Sequence, residues 1–316
     1  MHFYAVHVPG QEISKMFVVS WAGSFAVCCR DFLLLRKTME NLLLFKKNDF
    51  ITELSEENTP GHLDQIEMFY EDTDQLFKSI SEVIPASQLA VTYATVRNAA
   101  APSTSAVEPD GYLLHWPDHK NGLSCVIRSD GQGQQNSLQA VFPFCNEGVE
   151  YLCRLDKIRL FHNRLEAQLK VMAGADEELA LTFYDAHYLA DRFVYRQGCS
   201  YRFIIRAFAY CCDVISNADE DIGWALFNRP DLGADHYEVQ GPVESVAELE
   251  QPMLGQKTSK IRIVIGRTSE GEDCYLDIFV TQKVLGSASL PRPGDNIQSV
   301  IWLQGHLWGE EPAPES

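Results

Sequence analysis

At 316 residues the chain has room for two domains and an ample core, and its 46% hydrophobic and 22% charged composition is that of an ordinary globular protein. A formal net charge of −18 disfavours a nucleic-acid backbone as the main partner, because affinity for phosphate rests on Lys and Arg. The nine cysteines are an odd and scattered set without a C-x-x-C, which argues against a zinc ribbon or a thioredoxin-like motif and points to a reducing, cytoplasmic setting.

His2 to Val8 alternates, Pro9-Gly10 is a turn signal, and Lys15 to Trp21 reads as a second strand of a hairpin. The apolar run Met16 to Cys29 is too short to span a bilayer, and no basic region precedes it as a secretory signal requires. No membrane contact is expected. Phe25 to Lys47 has helical spacing. Thr59-Pro60 then starts an amphipathic helix whose stripe is Leu63, Ile66, Tyr70, Phe77, Ile80 and Ile84, and Pro85 ends it. Gln88 to Val96 returns to strand. Residues 1–98 therefore predict a ββααβ unit, and the small, proline-containing stretch 99–111 predicts a linker.

From 112 to 316 the pattern is rich in strands. Leu123 to Arg128 and Leu138 to Phe144 flank a polar Gly/Gln turn and read as a hairpin. Residues 155–172 fit a helix or strands, and their β neighbours favour strands. Leu179, Leu181 and Phe183 alternate, Gly198 suits a turn, and Tyr201, Phe203, Ile205 and Ala207 alternate against Arg202, Ile204 and Arg206. This aromatic-rich centre predicts an OB-like or related small barrel. Residues 213–250 hold ten Asp or Glu against the single Arg229 and read as an acidic insertion. A hairpin over 260–280 follows, then a last strand or a strand pair bent at Gly305, leading to a polar tail. No internal repeat is evident. The expected class is α+β: the ββααβ unit, then the barrel-like region.

Chemistry is sparse. Asp185, His187 and Asp191 are the best-placed candidates for an acid/base or metal group, since a hard cation accepts two carboxylates and an imidazole. Capping and packing explain the same three residues. Asp231 with Glu238 loosely resembles a nuclease carboxylate pair, with Gln240 where a lysine is needed. Arg202 and Arg206 beside aromatics form a combination that single-stranded nucleic acid uses, and the acidic insertion is expected to cover them. Trp302, His306 and Trp308 share one face of a regular strand, as a core layer or a stacking shelf. No metal or cofactor is expected. The leading reading is a non-enzymatic module that binds another protein. The alternatives are a metal-dependent hydrolase and a single-strand nucleic-acid binder.

Overall fold

The computed structural model describes residues 51–53, 62–70, 80, 87–93, 110–117, 120–129, 136–174, 179–192, 194–215, 223–286 and 288–308. Its first strand, β1 (Ile51–Glu53), runs parallel to the later strand β6 (Val149–Leu160). After the short helix α1 (Leu63–Glu67), strands β2 (Gln88–Tyr93), β3 (Asp110–Pro117), β4 (Asn121–Ser129) and β5 (Asn136–Cys145) form an antiparallel four-stranded sheet in that order. β6, β7 (Ala167–Ala173), β8 (Leu179–Asp185), helix α2 (Tyr188–Asp191) and β9 (Ser200–Ile215) follow. β10 (Ala225–Asn228) leads to β11 (His236–Glu248), β12 (Thr258–Arg267), β13 (Asp273–Thr281), helix α3 (Gln282–Leu285) and β14 (Asn296–Leu307).

The pairings close two rings. β6, β7, β8, β14 and β9 join in turn, and β9 pairs back with β6. β11, β12, β13, β9 and β14 join likewise, and β14 pairs back with β11. Each ring has one parallel contact, between β8 and β14 in the first and between β13 and β9 in the second. The chain thus makes the same pass twice: three antiparallel strands, a one-turn helix, and a long strand. The long strand of each pass closes the ring of the other. β9 and β14 are shared as one antiparallel ribbon, with Arg206 opposite Gln304 near the changeover from ring to ring.

Alternation fills both interiors. Leu155, Leu169, Val171, Leu181, Phe203 and Ile205 pack the first ring, and Ile261, Ile263, Leu276, Ile278, Val280 and Ile297 the second, in one continuous core. Each such side chain, fully buried, contributes about 1.5–3 kcal/mol. Gly305 is required on the ribbon, because a Cβ there would stand 2.8 Å from the Phe183 ring. Residues 296–307 form one strand through Gly305, the first of the two arrangements expected there.

The four-stranded sheet and α1 pack on the outside of the ribbon. Leu113, Val126, Phe142 and Phe144 from the sheet and Met68 and Phe69 beside α1 meet Tyr184, Phe208, Phe279 and Trp302 in a second core. Consequently residues 205–209 of β9 and 301–306 of β14 are buried on both faces.

These findings correct the α+β expectation. Strand dominates the described residues, and their named helices are four or five residues long. There is no leading ββααβ unit among them. The hairpin expected over 2–21 and the helix over 25–47 lie outside the described residues. Of the expected amphipathic helix, residues 63–67 are helical and Met68–Phe69 turn; residues 71–79 and 81–84 lie outside the description. The barrel region is two interlocked rings rather than one small barrel. The described part of the acidic stretch 213–250 contributes the end of β9, β10 and the whole of β11, a strand that closes the second ring. Residues 155–172 belong to strands β6 and β7 and their connection.

Candidate functional site: a buried histidine and arginine cluster

The doubly buried stretch of the ribbon carries polar side chains on its outer face, under the four-stranded sheet. Arg206 is fully buried. Its Nε donates to Gln304 Oε1 at 2.9 Å and its Nη1 to His306 Nδ1 at 2.6 Å. Gln304 Nε2 in turn donates to the Pro143 carbonyl on β5 at 2.9 Å, tying ribbon to sheet. A row of imidazoles crosses the same boundary: His306 lies 4.8 Å from His187, and His187 lies 5.5 Å from His115 on β3. His115 Nδ1 sits 2.7 Å from Ser124 Oγ, and its ring packs on Phe144 at 4.2 Å.

Burial sets the electrostatics. It pushes the His187 imidazole down to about 3, and the charges of His115 and Arg206 act in the same direction. His306 is also held well below its ordinary range, by burial first and by Arg206 next. Geometry agrees: guanidinium only donates, so Nδ1 of His306 must be its bare nitrogen. Arg206 itself is lowered to about 10 by burial, with Cys145 and Asp185 opposing.

Asp185, at the end of β8, accepts a hydrogen bond on each carboxylate oxygen. Its Oδ1 accepts from the His187 backbone N–H at 3.0 Å and its Oδ2 from the Tyr195 hydroxyl at 2.6 Å. Burial lifts its carboxyl to about 7, against those two bonds and the Arg206 charge. Asp191, on α2, is raised by burial and then by the Asp185 charge. Asp185, His187 and Asp191 thus occupy one corner, but Asp185 holds the turn into α2. Among the described residues, no three His, Cys, Asp or Glu side chains come together as a metal site.

The five binding candidates divide. Arg206, Trp302 and His306 lie inside; Arg202 is exposed and Trp308 partly so. Trp302 Nε1 donates to Asp235 Oδ2 at 3.0 Å. The Arg202 guanidinium stands 5.4 Å over the Trp308 ring and 3.3 Å from Glu150. Glu150 on β6 is an acid beside Arg202, and Arg206 is covered by the sheet. Residues 216–222 of the acidic stretch expected to cover the arginines lie outside the described residues. Asp231 and Glu238 both engage Arg229, at 2.8 and 3.4 Å.

Two further polar networks join residues from separate elements and were not singled out in the sequence. Asp235 Oδ1 lies 3.0 Å from His236 Nδ1, and His236 Nε2 lies 2.9 Å from the Tyr210 hydroxyl, which also accepts from Gln65 on α1 at 2.9 Å. Burial pushes the Asp235 carboxyl up, but hydrogen bonds from His236, Trp302 and Gln168 outweigh it and hold the group below its ordinary range. Burial raises the Tyr210 hydroxyl, so this chain of contacts does not activate it as a nucleophile. The other network joins His62, Glu166, Asn163 and Tyr184.

No helix among the described residues is long and apolar enough to cross a membrane. Compared with known proteins, the chain matches no family model, no curated protein and no solved structure.

Proposed function

We propose that the chain is a non-enzymatic binding module that receives a protein partner at the β10 edge. The observation that carries this reading is exposed apolar surface: Trp224, Phe227 and Leu232 are 47, 66 and 50% exposed within nine residues. Exposed large apolar side chains concentrated in one short stretch support an interaction site there. β10 is also the last strand of its sheet and pairs with β11 alone among the described residues. An edge of that kind offers backbone donors and acceptors to an added strand, while pockets beside it read alternate side chains. The net charge of −18 favours a partner with a basic face.

The hydrolase reading is not adopted. Asp185 is occupied by Tyr195 and the His187 backbone, and it is buried beneath the sheet. A water-activating carboxylate needs a route for water and substrate, which the burial of Asp185 does not offer.

The experiment is differential capture from the native cells. Wild-type protein and a Trp224→Ser/Phe227→Glu variant of equal thermal stability are used as baits, with quantitative mass spectrometry. The reading predicts a discrete set of proteins retained by the wild type and lost by the variant. Identical sets on both baits contradict it.

A further inference from the structure

His62 is seated in an aromatic enclosure that its own chemistry does not fill. Tyr184, Phe142, Trp302 and Phe161 stand around its imidazole at centroid distances of 4.7, 5.6, 5.6 and 6.4 Å. Glu166 closes the seat, with Oε1 at 2.8 Å from His62 Nε2. That carboxylate is held in place from behind: Tyr184 donates to Oε1 at 2.9 Å and Asn163 to Oε2. The enclosure belongs to the sheet and the rings, whereas His62 arrives on the segment leading into α1.

The fit of His62 is incomplete in two respects. Its Nδ1 is buried without a hydrogen-bond partner among the described residues, a costly arrangement for a polar atom. Its backbone is left-handed, with φ 52°, which non-glycine residues adopt uncommonly. The seat offers one carboxylate acceptor inside four aromatic walls. Its chemical complement is a cation with a single N–H donor and an otherwise alkyl surface. Aromatic rings attract such cations through their quadrupoles, and enclosures of this type recognise alkylated ammonium groups.

We propose that this enclosure is a recognition site for a tertiary alkylammonium group, such as a dimethylated lysine side chain, and that His62 occupies it in cis. Binding exchanges the His62 imidazole for the ligand cation, and no covalent bond changes. The segment 62–70 is displaced with it. This site is separate from the β10 edge and does not depend on the reading proposed for that edge.

The test uses the full chain carrying His62→Ala, which empties the seat, and trimethylammonium as the probe. Tetramethylammonium, which has the charge without a donor, and 2-methylpropan-2-ol, which is neutral, are the comparisons. Tryptophan fluorescence, to which Trp302 contributes from the wall, and the thermal midpoint are read together. The proposal expects saturable binding of trimethylammonium at least tenfold tighter than the alcohol. It also expects at least tenfold weaker binding by wild type, and loss of the preference in His62→Ala/Glu166→Gln. Equal affinity for cation and alcohol, equal affinity of wild type and variant, or no binding overturns it. Should the variant not fold, amide exchange of the wild type decides the matter. Trimethylammonium, unlike the alcohol or sodium, is expected to accelerate exchange across residues 62–70, and unchanged exchange there overturns the proposal.

Discussion

Arg206 and His306 face one another across the shared ribbon, with Nη1 of the arginine 2.6 Å from Nδ1 of the histidine. The contact places a buried guanidinium among neutral hydrogen-bond partners, since its Nε and Nη2 donate to the Gln304 amide oxygen. A buried cation costs several kcal/mol of desolvation, which neutral dipoles offset only in part. The ribbon thus spends stability where both rings and the four-stranded sheet meet.

Replacing Arg206 is therefore expected to act twice. Arg206→Leu removes the buried charge but leaves Gln304 Oε1 and His306 Nδ1 without their donor. The second effect dominates, with a net loss of about 1–3 kcal/mol in chemical denaturation. NMR titration of the variant should also show His306 protonating at higher pH, because one of the two main causes of its depression has gone. An unmoved His306 would contradict the contact.

His187 and Asp185 make opposed contributions to the pH dependence. His187 is depressed from its ordinary value to about 3, so the unfolded chain binds the extra proton between about 6.5 and 3, and stability is lost as pH falls through that window. Asp185 is raised to about 7, so the folded chain holds the extra proton from about 4 to 7, and stability is lost as pH rises through that window. Each group contributes a slope approaching about 1.4 kcal/mol per pH unit. Denaturation curves from pH 4 to 7 should show His187→Gln making the profile fall more steeply with rising pH, and Asp185→Asn doing the reverse. Changes of the same sign would contradict the assignment.

Gly305→Ala is expected to destabilise by about 1–3 kcal/mol, because its Cβ meets the Phe183 ring at 2.8 Å inside a packed core. Gly223→Ala, with nothing within 4 Å, is the control and should stay within about 0.5 kcal/mol of wild type. Thermal or chemical denaturation of the two variants checks the difference.

The strands were legible where one face is buried and the other wet. Tyr201, Phe203, Ile205 and Ala207 alternate with Arg202, Ile204 and Arg206 in the sequence and on β9. What alternation could not show is that the second face is also covered, which moves Arg206 and His306 from a presumed binding surface into the interior. Cover of that kind comes from β3 to β5, far away in the chain. The repeated pass was illegible as well: it lies in strand pairing, and the ring-closing partners β8 and β14 are separated by more than a hundred residues. His187 stood out beside Asp185 because they lie two residues apart. The pairing of His62 with Glu166 did not, since it forms only through the fold.

Arg202, by contrast, should matter little to stability. Its contacts with Glu150 and the Trp308 ring are exposed, and such pairs contribute about 0–1 kcal/mol. Arg202→Ala is expected to fold normally, and the intact chain to bind single-stranded nucleic acid negligibly at physiological salt. Fluorescence anisotropy with a labelled oligonucleotide checks the second expectation, and tight binding lost in the variant would contradict it.

The reading of the chain as a partner-binding module rests on the β10 edge, and site-specific photocrosslinking probes that edge most directly. A photoreactive phenylalanine analogue replaces Phe227 in one protein and Leu152, which is 58% exposed on the first ring, in another. Both are irradiated in the native cells. A discrete adduct from position 227, absent from position 152 and abolished by adding Trp224→Ser, is the predicted result. No adduct at 227, or the same adducts from both positions, would contradict the account.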